Sequence, residues 1–242
     1  MSRSLLLLSS SRHGDQPFLA HAREALVEHL AGVREAIFVP YAGVTVTPAA
    51  YAARVIPTFA ALGVRIRSLP DEPNARAALA SAEAVVVGGG NTFRLLERLQ
   101  RLELLAPLRA VAGAGRPYVG WSAGAVLAGP SIATTNDMPI VEPAGFGALA
   151  LVAFHLNAHF TDAHPPGFRG ETRRERLAEF LAIDARRRVA ALPEGTWLSV
   201  ADGAIHVAGA DAALCFEASG VQTLPPGARA DPVLEPDGPP RP

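Results

Sequence analysis

The sequence contains no lysine; all 22 basic residues are arginine. That absence excludes a Ser-Lys dyad, a Schiff base, a lysine-bound pyridoxal cofactor and a P-loop lysine. Cysteine is nearly absent as well, with Cys215 alone, so intrachain disulfides and cysteine-rich zinc or iron-sulfur sites are ruled out. The setting of that cysteine, "AALCFEA", predicts a small apolar residue in a buried strand. Charge of one sign is missing too: 22 basic residues face 23 acidic ones, for a formal net charge of -1. No basic face can neutralise a run of phosphates, and nucleic acid is not an expected partner. Long apolar runs are also lacking, since none approaches the roughly 18 to 20 residues of a membrane-spanning helix. The N-terminal "LLLL" leads into polar "SSSRHGD" without a small-residue cleavage pattern, so it does not read as a signal peptide. The expectation is a soluble cytoplasmic protein that needs no metal or cofactor and does not engage a membrane.

What is present is enough apolar material for one sizeable core: 242 residues, 49% of them hydrophobic. Short apolar runs at 4–10, 36–40, 64–69, 84–89 and 117–121 suit strands buried on both faces. Between them lie helical patterns near 17–31, 48–62, 73–82 and 92–114, the last broken around Leu104 to Pro107. This alternation predicts an α/β fold, a mostly parallel sheet with helices on both faces. A further helix is expected from Glu171 to about Ile183. "VAALP", "TWLSVADGAIHVAG" and "ALCFEA" then read as a small antiparallel C-terminal portion with an Asp-Gly turn at 202–203. One domain is expected over residues 1–223. From Leu224 the Pro, Gly, Ala and charge-rich composition predicts a poorly packed tail through residue 242, or an arm that orders only against a neighbour. Monomer and homo-oligomer both stay open.

In an open parallel sheet the chemistry gathers at the carboxyl ends of the strands. Two such ends stand out: "GGGNTF" after the fourth run and "GWSAGA" after the fifth. "GWSAG" satisfies the G-x-S-x-G elbow, in which a sharp strand-to-helix turn lifts a serine hydroxyl into the open. Small residues at a tight turn give the same letters. A nucleophilic serine needs a base, which without lysine points to histidine. Of seven histidines, His21 and His29 read as surface residues of the first helix and His206 lies in an edge-like strand. His159 in "LNAHFTDAH" is the best placed, with His155 and His164 as rivals. For the orienting carboxylate the candidates are Glu194 in "ALPEGTW" and Asp137 in "TTNDMPI".

"VGGGNTFRLL", "YVGWSAGAVLAGPSIATTNDMPIVEP", "LNAHFTDAHPPGFRGETRRERL" and "ALPEGTWL" together resemble the successive motifs of the peptidase E family. These are α-aspartyl dipeptidases among the serine peptidases, with a fold similar to class I glutamine amidotransferases (flavodoxin-like). "LLLLSSSR" and "IFVPYAGVT" match as well, so the resemblance spans roughly residues 4 to 217. It implies Ser122 as nucleophile, His159 as general base and Glu194 as the orienting acid, with the amides of Gly90 and Ala123 as oxyanion hole. It also implies Arg173 as the partner of the substrate's aspartyl carboxylate, with a dipeptide Asp-Xaa as substrate. Asn91 and Thr92 are assigned to substrate binding, although Asn91 equally fits a helix N-cap. Asp137 is assigned a substrate or loop role rather than triad membership. Ala158 departs from the pattern, where proline is expected before the histidine. Two alternatives stand beside this reading: a related hydrolase of β-aspartyl-arginine dipeptides derived from cyanophycin-type polymer, and a catalytically silent amidotransferase-like module that binds small ligands.

Overall fold

The apolar runs become strands because their alternate residues point to opposite faces and both faces find a core. In β1 (Ser4–Leu8), Leu5 and Leu7 enter one hydrophobic cluster while Leu6 and Leu8 enter the other. The computed structural model describes residues 3–237. After β1, a short 3-10 turn leads to α1 (Arg23–His29), followed by β2 (Glu35–Val39) and α2 (Pro48–Ala60). Then come β3 (Arg65–Ser68), α3 (Ala75–Ser81), β4 (Ala84–Val87), α4 (Thr92–Arg101), α5 (Leu105–Gly113), β5 (Tyr118–Trp121) and α6 (Ala123–Val126). The second half supplies β6 (His155–Asn157), α7 (Arg173–Ile183), β7 (Val189–Ala191), β8 (Thr196–Ala201), β9 (Ala204–Gly209), β10 (Ala213–Glu217), β11 (Gly220–Leu224) and α8 (Asp231–Leu234).

Seven strands form the main sheet in the order β3-β2-β4-β5-β1-β8-β9, parallel from β3 to β1 and antiparallel at β8 and β9. Helices α1 and α2 cover one face through Leu26, Val55 and Phe59. On the other face α3, α4 and α5 bury Leu79, Leu95, Leu96, Leu99 and Leu108. Helix starts follow their caps: Thr47, Asn74 and Asn91 accept from the third residue beyond, and Thr172 with Glu175 closes a capping box. The expected α/β architecture is therefore observed, and the Asp202-Gly203 turn joins β8 to β9. The C-terminal portion divides, however. β8 and β9 extend the main sheet, whereas β7, β10 and β11 join β6 in a second sheet ordered β11-β10-β7-β6, with β6 and β7 parallel. Cys215 lies fully buried in β10, and burial pushes its thiol up to about 12.

Two expectations are corrected. The stretch after Leu224 is packed: Gly227 and Ala230 donate to Val207 and Ile205, and Val207 donates to Ala228, which covers the free edge of β9. Ala230 and Leu234 enter the core. Glu235 is buried against Arg3 in a two-point ion pair at 2.8 and 2.6 Å, and it accepts from the Ala153 amide at 2.8 Å. Backbone pairing and a few small apolar anchors suffice here, so composition gave no warning. The expected tail at 238–242 lies outside the described residues. His29 is likewise no surface residue: its Nε2 meets the Tyr118 carbonyl at 3.2 Å, and burial pushes its pKa down to about 4. His21 packs its ring 6.0 Å from that of Trp197 and is half-buried. No helix among the described residues is long and apolar enough to cross a membrane.

Candidate active site

Three neighbouring strands, β4, β5 and β1, end at one edge of the main sheet, with Val87 beside Gly120 and Trp121 beside Leu8. Their following residues bring Gly90, Ser122 and Ser9 to a common place. Ser122 sits at φ 53 and ψ -116, a conformation that costs an L-residue about 1–3 kcal/mol and marks a sharp elbow. The turn closes only because the residues two before and two after the serine lack side chains. A Cβ on Gly120 would meet the Gly124 carbonyl at 2.4 Å, and one on Gly124 would meet the Val87 carbonyl at 2.2 Å. The Ser122 carbonyl accepts from Ala125 and Val126 at 2.9 and 3.0 Å, so α6 starts at the serine. Among the described residues the amides of Gly90 and Ala123 have no hydrogen-bond partner. Ala123 is the first helical residue, where orphan donors are expected. Gly90 stands at φ 135, with the Ala42 carbonyl 2.3 Å from where a Cβ would be, so only glycine fits.

The second sheet delivers the partners. β6 and β7 pair in parallel, Asn157 beside Ala191, so the residues after each strand emerge side by side. His159 (φ 54) follows β6 and Glu194 follows β7. The His159 ring joins them, with Nε2 2.8 Å from Ser122 Oγ and Nδ1 3.0 Å from Glu194 Oε1. With Nδ1–H donating to the carboxylate, Nε2 carries the lone pair that can take the serine proton. The imidazole side chain is 39% exposed and the Glu194 side chain 60%, so the Glu194 carboxylate is bathed by solvent. The rivals are placed elsewhere. His155 is buried with Nε2 3.1 Å from Ser131 Oγ, and burial pushes its pKa down to about 4. His164 is exposed and stacks on Phe168 at 4.8 Å.

Asp137 lies at the start of α4. Its Oδ2 accepts from the Thr92 amide at 2.7 Å, the Thr92 hydroxyl at 2.5 Å and the Thr135 hydroxyl at 3.1 Å. Asn91 caps the Arg94 amide at 3.0 Å and donates to the Met138 carbonyl at 2.8 Å. These three residues bind the 129–140 loop to the helix beside Gly90. Arg173 opens α7 half-buried, with Nη1 shut off from solvent and unpartnered among the described residues. Burial and then Arg176 lower its pKa, while the Glu194 carboxylate opposes them. An unpaired buried guanidinium N–H favours an anion.

Several supports were missed in the sequence. Ser9 donates to the Leu192 carbonyl at 2.7 Å and accepts the His159 amide at 2.8 Å, which locks the histidine's strained backbone to the strand end. Ser10 accepts from Gly195 at 3.1 Å, next to Glu194. The signal was a polar run closing the strand beside the elbow strand, and only the pairing of β1 with β5 gives it meaning. Among the described residues no group of three or more His, Cys, Asp or Glu could hold a metal.

Residues 5–208 match the family model of Peptidase family S51. Peptidase E of Citrobacter koseri is 45% identical over 221 residues, covering 91% of this chain and 96% of that protein. Peptidase E of Escherichia coli O6:K15:H31 is 44% identical over the same shares. Among solved structures, a peptidase from an acI-B1 Actinobacterium shares the fold, with a TM-score of 0.68 over 95% of this chain and 96% of that one at 18% identity. A family match over most of the chain, with close relatives along nearly its whole length, leads to one conclusion: the chain belongs to peptidase family S51 and is a serine peptidase.

Proposed function

We propose that this chain hydrolyses dipeptides with an N-terminal aspartate, Asp-Xaa, through an acyl-enzyme on Ser122. The carrying observation is the hydrogen-bonded line from Ser122 Oγ through His159 to Glu194. His159 Nε2 takes the hydroxyl proton as Oγ attacks the aspartyl α-carbonyl, and Glu194 steadies the imidazolium through Nδ1–H. The amides of Gly90 and Ala123 receive the oxyanion; losing one such donor costs about 3–4 kcal/mol of transition-state stabilisation. His159 then gives its proton to the leaving amine, the second amino acid departs, and water activated by the same nitrogen releases aspartate. Asn91, Thr92 and Asp137 act by holding the loop against the oxyanion strand end rather than by touching substrate.

Arg173 supplies specificity in this reading. A planar guanidinium can grip a carboxylate at two points, and its buried Nη1 suits an aspartyl side chain. Replacing that carboxylate by an amide forfeits a charged hydrogen bond worth about 1.5–3 kcal/mol, a loss of about 10- to 150-fold in kcat/KM. The test compares Asp-Leu with Asn-Leu, Glu-Leu and β-Asp-Leu in wild type and Arg173→Gln. Asp-Leu is expected to lead by that factor and Arg173→Gln to erase the lead. Preference for β-Asp-Leu would instead place the α-carboxylate on Arg173 and replace this reading with the isoaspartyl one.

A further inference from the structure

The "GGG" that follows β4 has an unused neighbour. Tyr51, in the first turn of α2, reaches across and donates its hydroxyl to the Gly89 carbonyl at 3.0 Å. The same hydroxyl accepts from Trp121 Nε1 at 3.1 Å. Trp121 immediately precedes Ser122, so one phenol oxygen ties the strand end that carries the nucleophile to the one that carries Gly90. Because the indole can only donate, the phenol's own hydrogen is left for Gly89. The reach is built in: a Cβ on Gly88 would lie 2.8 Å from the hydroxyl oxygen, and a Cβ on Gly89 would lie 2.9 Å from the Ser122 Cβ.

We infer that Tyr51 is a positioning residue for the oxyanion hole, holding the Gly89–Gly90 peptide by its carbonyl so that the amide at the other end keeps its aim. In a planar trans peptide the C=O and the next N–H point in opposite directions. A grip on the Gly89 oxygen therefore fixes where the Gly90 N–H points. Three consecutive glycines leave that peptide little resistance of its own to rotation, and Gly90 is exposed at φ 135. Donation into the carbonyl also polarises the amide and strengthens its N–H as a donor. Burial pushes the Tyr51 pKa up to about 12, so the phenol remains a donor across working pH. The ring is held by an edge-on contact with Phe38 at 5.2 Å, which a phenylalanine would keep.

This inference rests on the reading of the Gly90 amide as an oxyanion donor, and its test separates the two. Wild type and Tyr51→Phe are compared for the rate of covalent labelling of Ser122 by a fluorophosphonate, and for kcat and KM on Asp-Leu. Tyr51→Phe is expected to label and turn over about 10-fold more slowly, part of the roughly 100- to 1000-fold that follows loss of a whole oxyanion donor. KM and inhibition by product aspartate should stay close to wild type, while the melting temperature falls because the buried Trp121 Nε1–H loses its acceptor. Gly88→Ala, which crowds the hydroxyl and its ring, should give the same kcat-selective loss and decides the matter if Tyr51→Phe does not fold. Equal rates in both variants, or losses that appear in KM rather than in kcat and the labelling rate, overturn the role of Tyr51 alone. A wild type that the fluorophosphonate does not label overturns the nucleophile reading, and the role of Tyr51 with it.

Discussion

Glu194→Gln keeps the shape of the proposed triad acid and removes its charge. For an enclosed triad carboxylate such a change costs about 10,000-fold in kcat. Here the two side chains are 39% and 60% exposed at a separation of 3.0 Å. Opposite charges about 4 Å apart interact by about 1 kcal/mol in water and about 4 kcal/mol at the dielectric of a protein surface. Exposure on both sides favours the lower part of that range, about 1–2 kcal/mol, or roughly 5- to 30-fold in kcat. The assay is steady-state turnover of Asp-Leu by wild type and variant at low and high ionic strength, with the gap narrowing in salt because the charge is screened. A 10,000-fold loss would refute the reasoning by showing that Glu194 is sealed from water in the reacting enzyme. No loss at all would remove Glu194 from the triad.

Other expectations test the frame around the site. Arg3→Ala strips the buried Glu235 carboxylate of its ion-pair partner, leaving the Ala153 amide, and should destabilise the protein by about 3–5 kcal/mol in urea unfolding. A change below about 1 kcal/mol would mean that the C-terminal segment is not docked as described. His29 and His155 are both held neutral, with pKa values of about 4 against 6.5 for the free side chain. The unfolded chain therefore takes up protons below pH 6.5 while the folded one resists until about 4. Stability is full above 6.5 and declines as the pH falls through that window, by up to about 3 kcal/mol per histidine. Melting temperatures measured from pH 7 to 4 check this, and a flat profile contradicts it.

The parallel core was readable because its strands are apolar on both faces and separated by capped amphipathic helices. Thr47, Asn74 and Asn91 mark helix starts in the letters themselves. The elbow was readable for a similar local reason: the glycines at 120 and 124 are demanded by contacts within a few residues or across one strand. What escaped was set by long-range pairing. β6 is only three residues long, and its partner β7 lies more than thirty residues away in sequence, so the placing of His159 beside Glu194 has no local pattern and was expected only through the family resemblance. Ser9 gains its role from Leu192 and His159, 183 and 150 residues distant. The segment after Leu224 offered composition without periodicity, although Ala230 and Leu234 reach the core. His29 looked solvated because helix α1 has charged neighbours at Glu24 and Glu28, yet its ring turns toward β5.

The most direct test is aspartate release from Asp-Leu by wild type and by Ser122→Ala, with folding of the variant checked by its melting temperature. The account predicts aspartate and leucine in equal amounts from the wild type and no release above background from a folded Ser122→Ala. Turnover by Ser122→Ala at the wild-type rate would contradict it, and Ser122 would then be only a small residue at a tight turn.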